Sequence, residues 1–380
     1  MTTIEKCDNY VMKTYGRFQI DLDRGKGVYL YDESGKKYTD FVGGIAVNAF
    51  GYGNKKYLKV MNEQLSKLIH CSNYYYTKPL AETAELLVKK SCFDKVFFCN
   101  SGTEANEAAL KLMKKYGNIK NKKKIIAMNK SFHGRSIGSL SLTGQAKKQK
   151  DFEPLLPNIV FADFNDLDSV EKLMDKNVAG IILEPIQGEG GIYPAKKEFL
   201  QGIKKLCDEN EALLCYDEVQ CGIGRVGTLF SYEFFGVEPD IITLAKGLGN
   251  GIPVGAMLAK KAISTVLIPG DHASTFGGNP LAMASARFVL SNIDGVLENV
   301  KKVGKYFKEE LQKLNVKEVR GEGLMLGAEI SQSARDVELK CIERGILIGA
   351  AGENVLRFTP PLVIKEKDVD ELIKVLGEIL

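Results

Sequence analysis

Short apolar segments alternate with helical segments over most of the chain, from about residue 55 to residue 290. This alternation is typical of an α/β domain with a mostly parallel sheet. We predict strands at residues 95–98, 124–128, 159–162, 179–184, 212–217, 241–244 and 255–259. Glycine-rich or polar loops follow most of these strands. Because ligands of open α/β sheets bind at the carboxyl ends of strands, a functional site is expected among these loops.

The two ends of the chain follow a different pattern. Strand-like segments at 27–31 and 37–41 flank a turn at 33–35 and predict a small antiparallel piece at one edge. A long amphipathic helix is predicted at 295–314, and a closing helix begins at Lys367. Between these helices lie strand-like segments at 319–321, 324–330 and 355–359. This order predicts a compact α+β second domain.

One lysine stands directly after a buried strand. Lys246 follows the apolar run 241–244 and precedes a glycine-rich bend. Lysine rarely occupies an apolar interior unless it is paired or reacts with something. Burial also lowers the pKa of the amine, so that more of it is the neutral nucleophile. Lys246 is therefore a candidate for attack on a carbonyl, and a surface lysine just past a strand is the simpler alternative.

The segment 100–110 predicts a junction between a strand and a helix. Ser101 and Glu104 have the spacing of a capping box, which by itself indicates only a well-started helix. Gly102, however, allows the backbone to approach an anion closely at a helix N-terminus, and Thr103 adds a hydroxyl. The segment therefore favours a phosphate site.

Two adjacent carboxylates end the apolar strand 212–217. Neighbouring side chains of a strand point to opposite faces, so only one of Asp217 and Glu218 can face a given site. A buried carboxylate needs a positive partner or hydrogen-bond donors. A protonated pyridine nitrogen of an electron-sink cofactor would serve, and an ion pair with an arginine is the alternative.

Residues 222–227 match the dinucleotide-binding pattern GxGxxG. In that motif the glycines open a helix directly after a strand. Residues 228–236 leave little room for such a helix before Pro239 and the next strand. The context therefore argues against a nicotinamide or flavin site.

Several other loops carry side chains suited to ligand binding. Phe132 could stack on a cofactor ring, and Arg135 could hold a carboxylate bidentately. Glu184 ends a predicted strand, whereas Glu189 lies between glycines and is expected to be movable, although a loop glutamate is usually only solvated. Arg357, in the predicted second domain, could close over a substrate carboxylate.

Composition excludes several classes of function. The net charge of +4, from 52 basic and 48 acidic residues, gives no footprint for nucleic acid, and the lysine-rich segment 120–124 is expected to be a solvated loop. No apolar run resembles a signal peptide or a membrane span. The eight cysteines are scattered and the three histidines lie far apart, which predicts reduced thiols, no metal site and a cytoplasmic location.

Six segments occur together in the order found in one family. They are 100–106, 131–135, 184–191, 216–220, 245–249 and 274–280, and nearly the whole chain from residue 10 is covered. The chain resembles class-III pyridoxal-phosphate-dependent aminotransferases of fold type I. The resemblance implies a large α/β domain over 55–290 and a smaller α+β domain formed by 1–54 and 291–380. It also implies a homodimer with shared active sites.

The resemblance assigns a role to each candidate residue. Lys246 is expected to carry pyridoxal 5'-phosphate covalently, and Asp217 to pair with the ring nitrogen. The remaining cofactor contacts are expected from Ser101, Gly102, Thr103, Phe132, Glu184, Gln220 and, from the partner subunit, Thr275. The substrate is expected to face Arg135, Glu189, Ser274 and Arg357.

The resemblance further implies ping-pong transamination between N2-acetyl-L-ornithine and 2-oxoglutarate in arginine biosynthesis. Glu189 is expected to neutralise Arg357 when the donor brings no carboxylate there. Gly44 is expected to leave space for the acylated amine, because a tyrosine stands near this position in similar ornithine aminotransferases. Succinylornithine, succinyl-diaminopimelate, acetyllysine, ornithine and 4-aminobutyrate remain alternative donors, because a pocket separates related acyl groups poorly.

Overall fold

A seven-stranded sheet forms the centre of the computed structural model, which describes all residues from 1 to 380. Its strands, in spatial order, are Lys95–Cys99, Gly255–Ala259, Ile241–Leu244, Leu213–Asp217, Val178–Leu183, Lys124–Met128 and Ile159–Ala162. Only Gly255–Ala259 runs antiparallel to its neighbours. All seven predicted strands belong to this sheet, so the predicted mostly parallel sheet is confirmed.

The middle strands are buried on both faces. Every residue of Val178–Leu183, Leu213–Asp217 and Ile241–Leu244 is buried. Strands covered by helices on both faces are expected to be continuously apolar, as these sequences are. On one face, Leu112 and Met113 of the Gly102–Ile119 helix share an apolar cluster with strand residues. A larger cluster covers the other face and continues into the C-terminal part of the chain.

The N-terminal segment forms a small sheet. Leu22–Lys26, Tyr29–Asp32 and Lys37–Asp40 are antiparallel, and Ile346–Leu347 adds a strand parallel to the third. The two ends of the chain are therefore joined by strand pairing. The sequence did not predict the Thr3–Tyr10 helix, which is short and begins at a Thr2 capping box. The domain boundaries near residues 54 and 291 stay a prediction.

A second small sheet, here called the C-terminal sheet, follows the large one. Its strands, in spatial order, are Glu318–Glu322, Met325–Glu329, Val355–Phe358 and Gly349–Ala350. Three helices accompany it: Asp294–Leu311, Ala334–Glu343 and Glu366–Ile379. These bounds agree with the predicted order of elements, with differences of one to three residues at most ends.

The remaining elements precede, connect or follow the strands of the large sheet. The α-helices are Gly43–Ala46, Lys55–Leu65, Lys78–Lys89, Gly102–Ile119, Ile137–Ser141, Ala146–Gln149, Leu167–Leu173, Lys197–Glu209, Ser231–Phe235, Lys261–Ser264 and Pro280–Asn292. Short 3₁₀ turns occur at Lys150–Phe152 and Lys246–Gly249, and Ile186–Gln187 pairs with Tyr193–Pro194 in a hairpin. No helix is both long and apolar enough to cross a bilayer.

The GxGxxG segment does not open a long helix. Residues 222–227 lie in turns, and the helix that follows, Ser231–Phe235, has only five residues. A dinucleotide site of the usual kind places the pyrophosphate at the N-terminus of a helix that the glycines begin. The local structure therefore lacks the feature on which that interpretation depends.

Candidate active site

A cavity of about 360 Å³ lies among the loops that follow the sheet strands. Eight predicted site residues line it: Ser101, Gly102, Thr103, Phe132, Glu184, Asp217, Gln220 and Lys246. Five others do not line it: Arg135, Glu189, Ser274, Thr275 and Arg357. The predicted cofactor residues of one chain are therefore brought together, apart from Thr275, and the predicted substrate residues lie outside this cavity.

Lys246 begins the turn that follows the strand Ile241–Leu244. Its φ of 45° lies in the left-handed region, which is unfavourable for a residue with a Cβ. Strained backbone of this kind persists only where surrounding structure holds it, and it often marks functional sites. Burial lowers the pKa of the Lys246 amine, and the nearby Arg357 charge lowers it further, against the opposing effect of Glu189 and Asp217. A lowered pKa favours the neutral form of the amine, which is the nucleophilic form.

Asp217 is held by three hydrogen bonds on the floor of the cavity. Its Oδ2 lies 2.7 Å from His133 Nδ1 and accepts a hydrogen bond of 2.7 Å from Asn106 Nδ2. Its Oδ1 accepts from the Val219 amide at 3.0 Å. The alternative of an arginine partner is wrong. Asn106 and the Val219 amide donate to this carboxylate, which is thereby fixed in one orientation at the cavity.

Asn106 is itself fixed by neighbouring groups. Thr243 Oγ1 donates to Asn106 Oδ1 at 2.7 Å, so the Asn106 amide nitrogen faces Asp217. The same nitrogen donates to the His133 carbonyl oxygen at 2.7 Å. Neither His133 nor Asn106 was assigned a role from the sequence, although both lie in segments that carry the family resemblance. A polar side chain on the buried face of the Gly102–Ile119 helix was the available signal for Asn106.

The start of the Gly102–Ile119 helix forms one end of the cavity. Ser101 Oγ accepts from the Glu104 amide at 3.2 Å, whereas Glu104 Oε2 accepts from the Asn100 amide and from the Ser101 hydroxyl rather than from the Ser101 amide. The predicted capping box is therefore only half formed. A Cβ at Gly102 would lie 2.6 Å from a Val219 methyl group, so only glycine fits. Free amides and the helix dipole at this end suit an anion.

Gln220 and Glu184 supply further polar groups. Gln220 is 8% exposed, and its Oε1 is buried without a hydrogen-bond partner. Glu184 accepts from the amides of Phe132 at 2.8 Å and Gly188 at 3.0 Å. Burial raises the pKa of Glu184 to about 7, with His133 opposing and Asp217 reinforcing the shift. Because a buried acceptor without a donor is costly, Gln220 is a candidate ligand contact.

Adjacent carboxylates face opposite environments, as predicted. Glu218 does not line the cavity but accepts hydrogen bonds from the Ser231 and Tyr232 amides at 2.6 and 2.7 Å. Asp217 alone faces the cavity.

Glu189, in the segment after the strand Val178–Leu183, contacts Arg357 of the C-terminal sheet. Glu189 Oε1 accepts a hydrogen bond from Arg357 Nη1. Arg357 is 6% exposed. Burial alone would raise the pKa of Glu189, but the charge and hydrogen bond of Arg357 lower it overall. Arg135 is exposed, and its guanidinium carbon lies 5.4 Å from the Phe132 ring centroid.

The 272–280 loop lies beside the cavity without lining it. Ser274 Oγ accepts from Asn100 Nδ2 at 3.1 Å and from the Gly277 amide at 3.0 Å. Thr275 is exposed, and the neighbouring Phe276 is 60% exposed.

Gly44 belongs to a strained turn. Gly43, Gly44, Ile45 and Ala46 have consecutive φ values of 58°, 67°, 65° and 63°. A Cβ at Gly44 would lie 2.9 Å from Asn48 Nδ2. The left-handed backbone and the Asn48 side chain both favour glycine at this position, and the expectation that Gly44 leaves space for an acylated amine stays a prediction.

The chain belongs to the class-III aminotransferase family. The model of that family, "Aminotransferase class-III", matches residues 10–380. The predicted family is thus confirmed, and the chain is an aminotransferase whose cavity is lined by both Lys246 and Asp217.

Similar proteins carry more specific names. An acetylornithine aminotransferase of Clostridium acetobutylicum is 49% identical, covering 97% of this chain and 98% of the relative. Another, from Aquifex aeolicus, is 50% identical and covers 98% of this chain and 100% of the relative.

Solved structures of similar proteins have the same fold. An N-acetylornithine aminotransferase of Stenotrophomonas maltophilia has a TM-score of 0.86 at 37% identity, covering 99% of this chain and 97% of that one. An ornithine aminotransferase of Toxoplasma gondii has a TM-score of 0.94 at 30% identity, covering 99% and 94%, and was described with PLP partly occupying its active site.

Proposed function

We propose that this aminotransferase transfers the terminal amino group of N2-acetyl-L-ornithine to 2-oxoglutarate. The products are N-acetyl-L-glutamate 5-semialdehyde and L-glutamate, as in arginine biosynthesis. The observation that carries the proposal is the Glu189–Arg357 pair, whose two charges both act on the Lys246 amine. The names of the curated relatives support this particular donor.

Pyridoxal 5'-phosphate fits the residues that line the cavity. The helix start at Ser101, Gly102 and Thr103 suits its phosphate. Asp217 suits the ring nitrogen, and the unpartnered Gln220 Oε1 suits the ring hydroxyl. When bound, this cofactor carries the amino group between substrates and draws electrons from the reacting carbon.

Lys246 and Asp217 divide the proton chemistry between them. The neutral Lys246 amine is the group that removes a proton from the substrate carbon bearing nitrogen. Asp217 keeps a proton on the ring nitrogen, because Asn106, His133 and the Val219 amide hold the carboxylate in place. Phe132 and Glu184 complete the cavity on the side of the 131–135 loop.

The Glu189–Arg357 pair supports a site that accepts two different substrates. Glutamate brings a carboxylate next to its reacting carbon, and Arg357 can bind that carboxylate in place of Glu189. The terminal amine of acetylornithine brings none, so Glu189 stays and neutralises the buried arginine. An unpaired buried charge would cost several kcal/mol. Arg135 and Ser274 would then hold the distant carboxylate of either substrate.

The active enzyme is proposed to be a homodimer in which Thr275 of each subunit completes the partner's phosphate site. Thr275 does not line the cavity of its own chain. Large apolar side chains are exposed next to this loop: Phe276 at 60%, and Tyr74 at 92% and Tyr75 at 67%, which follow Asn73, whose side chain donates to the carbonyl oxygens of Ser274 and Gly277. Exposed aromatic residues of this number are typical of a protein interface. All eight cysteines are free thiols, which supports a cytoplasmic location.

The test is a panel of donors assayed with 2-oxoglutarate. The donors are acetylornithine, succinylornithine, succinyl-diaminopimelate, acetyllysine, ornithine and 4-aminobutyrate. We expect kcat/KM for acetylornithine to exceed that for ornithine at least about tenfold, a difference of roughly 1.4 kcal/mol in transition-state binding. A higher kcat/KM for ornithine or 4-aminobutyrate would overturn the proposed donor.

A variant separates the chemistry from the choice of donor. Lys246→Ala is expected to lower kcat by about 10²–10⁴-fold or more with every donor, because it removes both the nucleophile and the proton-transferring base. Borohydride treatment of the wild-type holoenzyme should fix the cofactor on the peptide containing Lys246. An unmodified peptide by mass spectrometry would contradict the role of this lysine.

A further inference from the structure

Glu189 lies in the turn of a hairpin with an unusual backbone. The hairpin strands are Ile186–Gln187 and Tyr193–Pro194. Two consecutive residues of the turn have positive φ, Gly191 at 118° and Ile192 at 58°. A β-branched residue adopts such a φ only at a cost, so contacts around Ile192 must hold it there.

Ile192 packs against two strands of the C-terminal sheet. Its side chain is fully buried. A Cβ at Gly321 would lie 2.9 Å from Ile192 Cγ2, and one at Gly327 would lie 2.9 Å from Ile192 Cβ. Glycines at these positions therefore form the surface on which the hairpin rests.

Arg320 adds polar contacts at the same place. Its Nε donates to the Gly191 carbonyl oxygen at 2.7 Å, and its guanidinium carbon lies 4.0 Å from the Tyr193 ring centroid. Its Nη1 donates to Glu318 at 2.6 Å and to Glu329 at 2.9 Å. Arg320 is only 6% exposed. A buried guanidinium that combines charged hydrogen bonds with an aromatic face is strongly held.

The C-terminal sheet also carries the arginine that Glu189 contacts. Arg357 stands opposite Gly327 in the neighbouring strand. The hairpin thus meets this sheet at two places with different chemistry. One contact, Glu189 to Arg357, is a charge pair that an incoming carboxylate can replace. The other, formed by Arg320 and Ile192, involves no group that a substrate resembles.

We propose that Arg320 is a positioning residue that fixes the base of the Glu189 hairpin to the C-terminal sheet. Glu189 can then leave Arg357 when glutamate binds and return when it departs, while the rest of the hairpin stays in place. This inference rests on the proposed function, because it takes the exchange at Arg357 as part of turnover.

Loss of the Arg320 contacts should affect the binding of the two substrates unequally. A loosened hairpin spends less time with Glu189 at Arg357. The donor amine then meets an unpaired arginine and binds more weakly. Glutamate supplies its own carboxylate to Arg357 and is largely spared.

The first measurement is hydrogen–deuterium exchange of the holoenzyme. Arg320→Gln is compared with Glu318→Gln, a matched control that removes an exposed partner of Arg320 without touching the hairpin. Amides of residues 188–192 are expected to exchange at least about tenfold faster in Arg320→Gln, because this variant loses one charge-assisted hydrogen bond to the hairpin. They should keep wild-type rates in Glu318→Gln. Wild-type exchange rates in Arg320→Gln would overturn the proposal that Arg320 fixes the hairpin.

The second measurement compares the half-reactions with acetylornithine and with glutamate. In Arg320→Gln the kcat/KM for acetylornithine divided by that for glutamate should fall about tenfold, mainly through a higher KM for acetylornithine. Arg320→Lys keeps a positive charge beside Glu329, so it should fold and show a smaller fall. Parallel losses in both half-reactions, in either variant, would overturn the positioning role.

Glu189→Gln distinguishes this inference from the function on which it rests. If Glu189 masks Arg357, that variant should lower the same ratio with wild-type exchange rates at residues 188–192. An unchanged kcat/KM ratio in Glu189→Gln would overturn the proposal that Glu189 neutralises Arg357. The exchange rates of Arg320→Gln test the positioning role of Arg320 separately.

Discussion

Single residues of this chain owe their chemistry to their immediate partners. Asp217 and Glu218 are adjacent in sequence and both are buried. Asp217 has side-chain donors from two distant segments. Burial raises the pKa of Glu218 to about 7, and its hydrogen bonds from Ser231 and Tyr232 offset this effect only in part. The two adjacent carboxylates at the end of this strand therefore differ in their surroundings, because successive side chains of a strand point to opposite sides.

Glu218 should make stability depend on pH. Its folded pKa of about 7 exceeds the ordinary value of 4.5, so the folded protein holds the proton more tightly than the unfolded chain. Stability is therefore lost as pH rises from about 4.5 to about 7. Relative to Glu218→Gln, the free energy of unfolding of the wild type should fall by about 3 kcal/mol across this range. Parallel pH profiles of the two proteins in urea denaturation would contradict this expectation.

Elements position the site mainly through the ends of helices and strands. The Gly102–Ile119 helix brings Gly102 to the cavity with its first residue and Asn106 with its second turn. Helices at the edge of the molecule depend on their caps in the same way. Asn54 caps Lys55–Leu65 by accepting from the amides of Lys56 and Tyr57. That helix has no acidic residue in its first turn to help the cap.

Asn54→Ala should lower the free energy of unfolding by about 1 kcal/mol, because two amides lose their acceptor. Asn54→Ser keeps a side-chain oxygen and should retain most of the stability. Urea denaturation of the three proteins at one protein concentration measures both effects. Equal losses in the alanine and serine variants would show that Asn54 contributes something other than a cap.

At the scale of the whole molecule, the proposed homodimer would complete each site with Thr275 of the other subunit. Thr275 is exposed and does not line its own cavity, although the rest of the predicted phosphate contacts do. If the homodimer is symmetric, each subunit lends Thr275 to the other.

Mixed dimers of Lys246→Ala and Thr275→Ala subunits test this arrangement. If Thr275 of one subunit completes the site of the other, each mixed dimer has one site with both Lys246 and Thr275 and one site with neither. Tag-purified mixed dimers should then show about half the wild-type activity at low cofactor concentration, above either parent homodimer. Activity no higher than half that of Thr275→Ala homodimers would show that Thr275 serves its own chain.

The sequence by itself determined the large sheet and the placement of Lys246 and Asp217 at the ends of two of its strands. Its seven strands were recognisable because buried parallel strands are continuously apolar over four to six residues. Lys246 and Asp217 were recognisable because each polar side chain stands at the end of such a run. The local sequence pattern was sufficient for prediction where one segment contains both the buried apolar residues and the polar side chain.

Only the tertiary structure decided which distant groups meet. Asp217 receives His133 and Asn106 from positions 84 and 111 residues away, because the order of strands in the sheet differs from their order in the chain. The left-handed turn at 43–46 and the contact between Arg320 and Gly191 follow from packing between separate sheets. Such contacts have no local periodicity, and they arise only when long-range packing outweighs what each segment prefers alone.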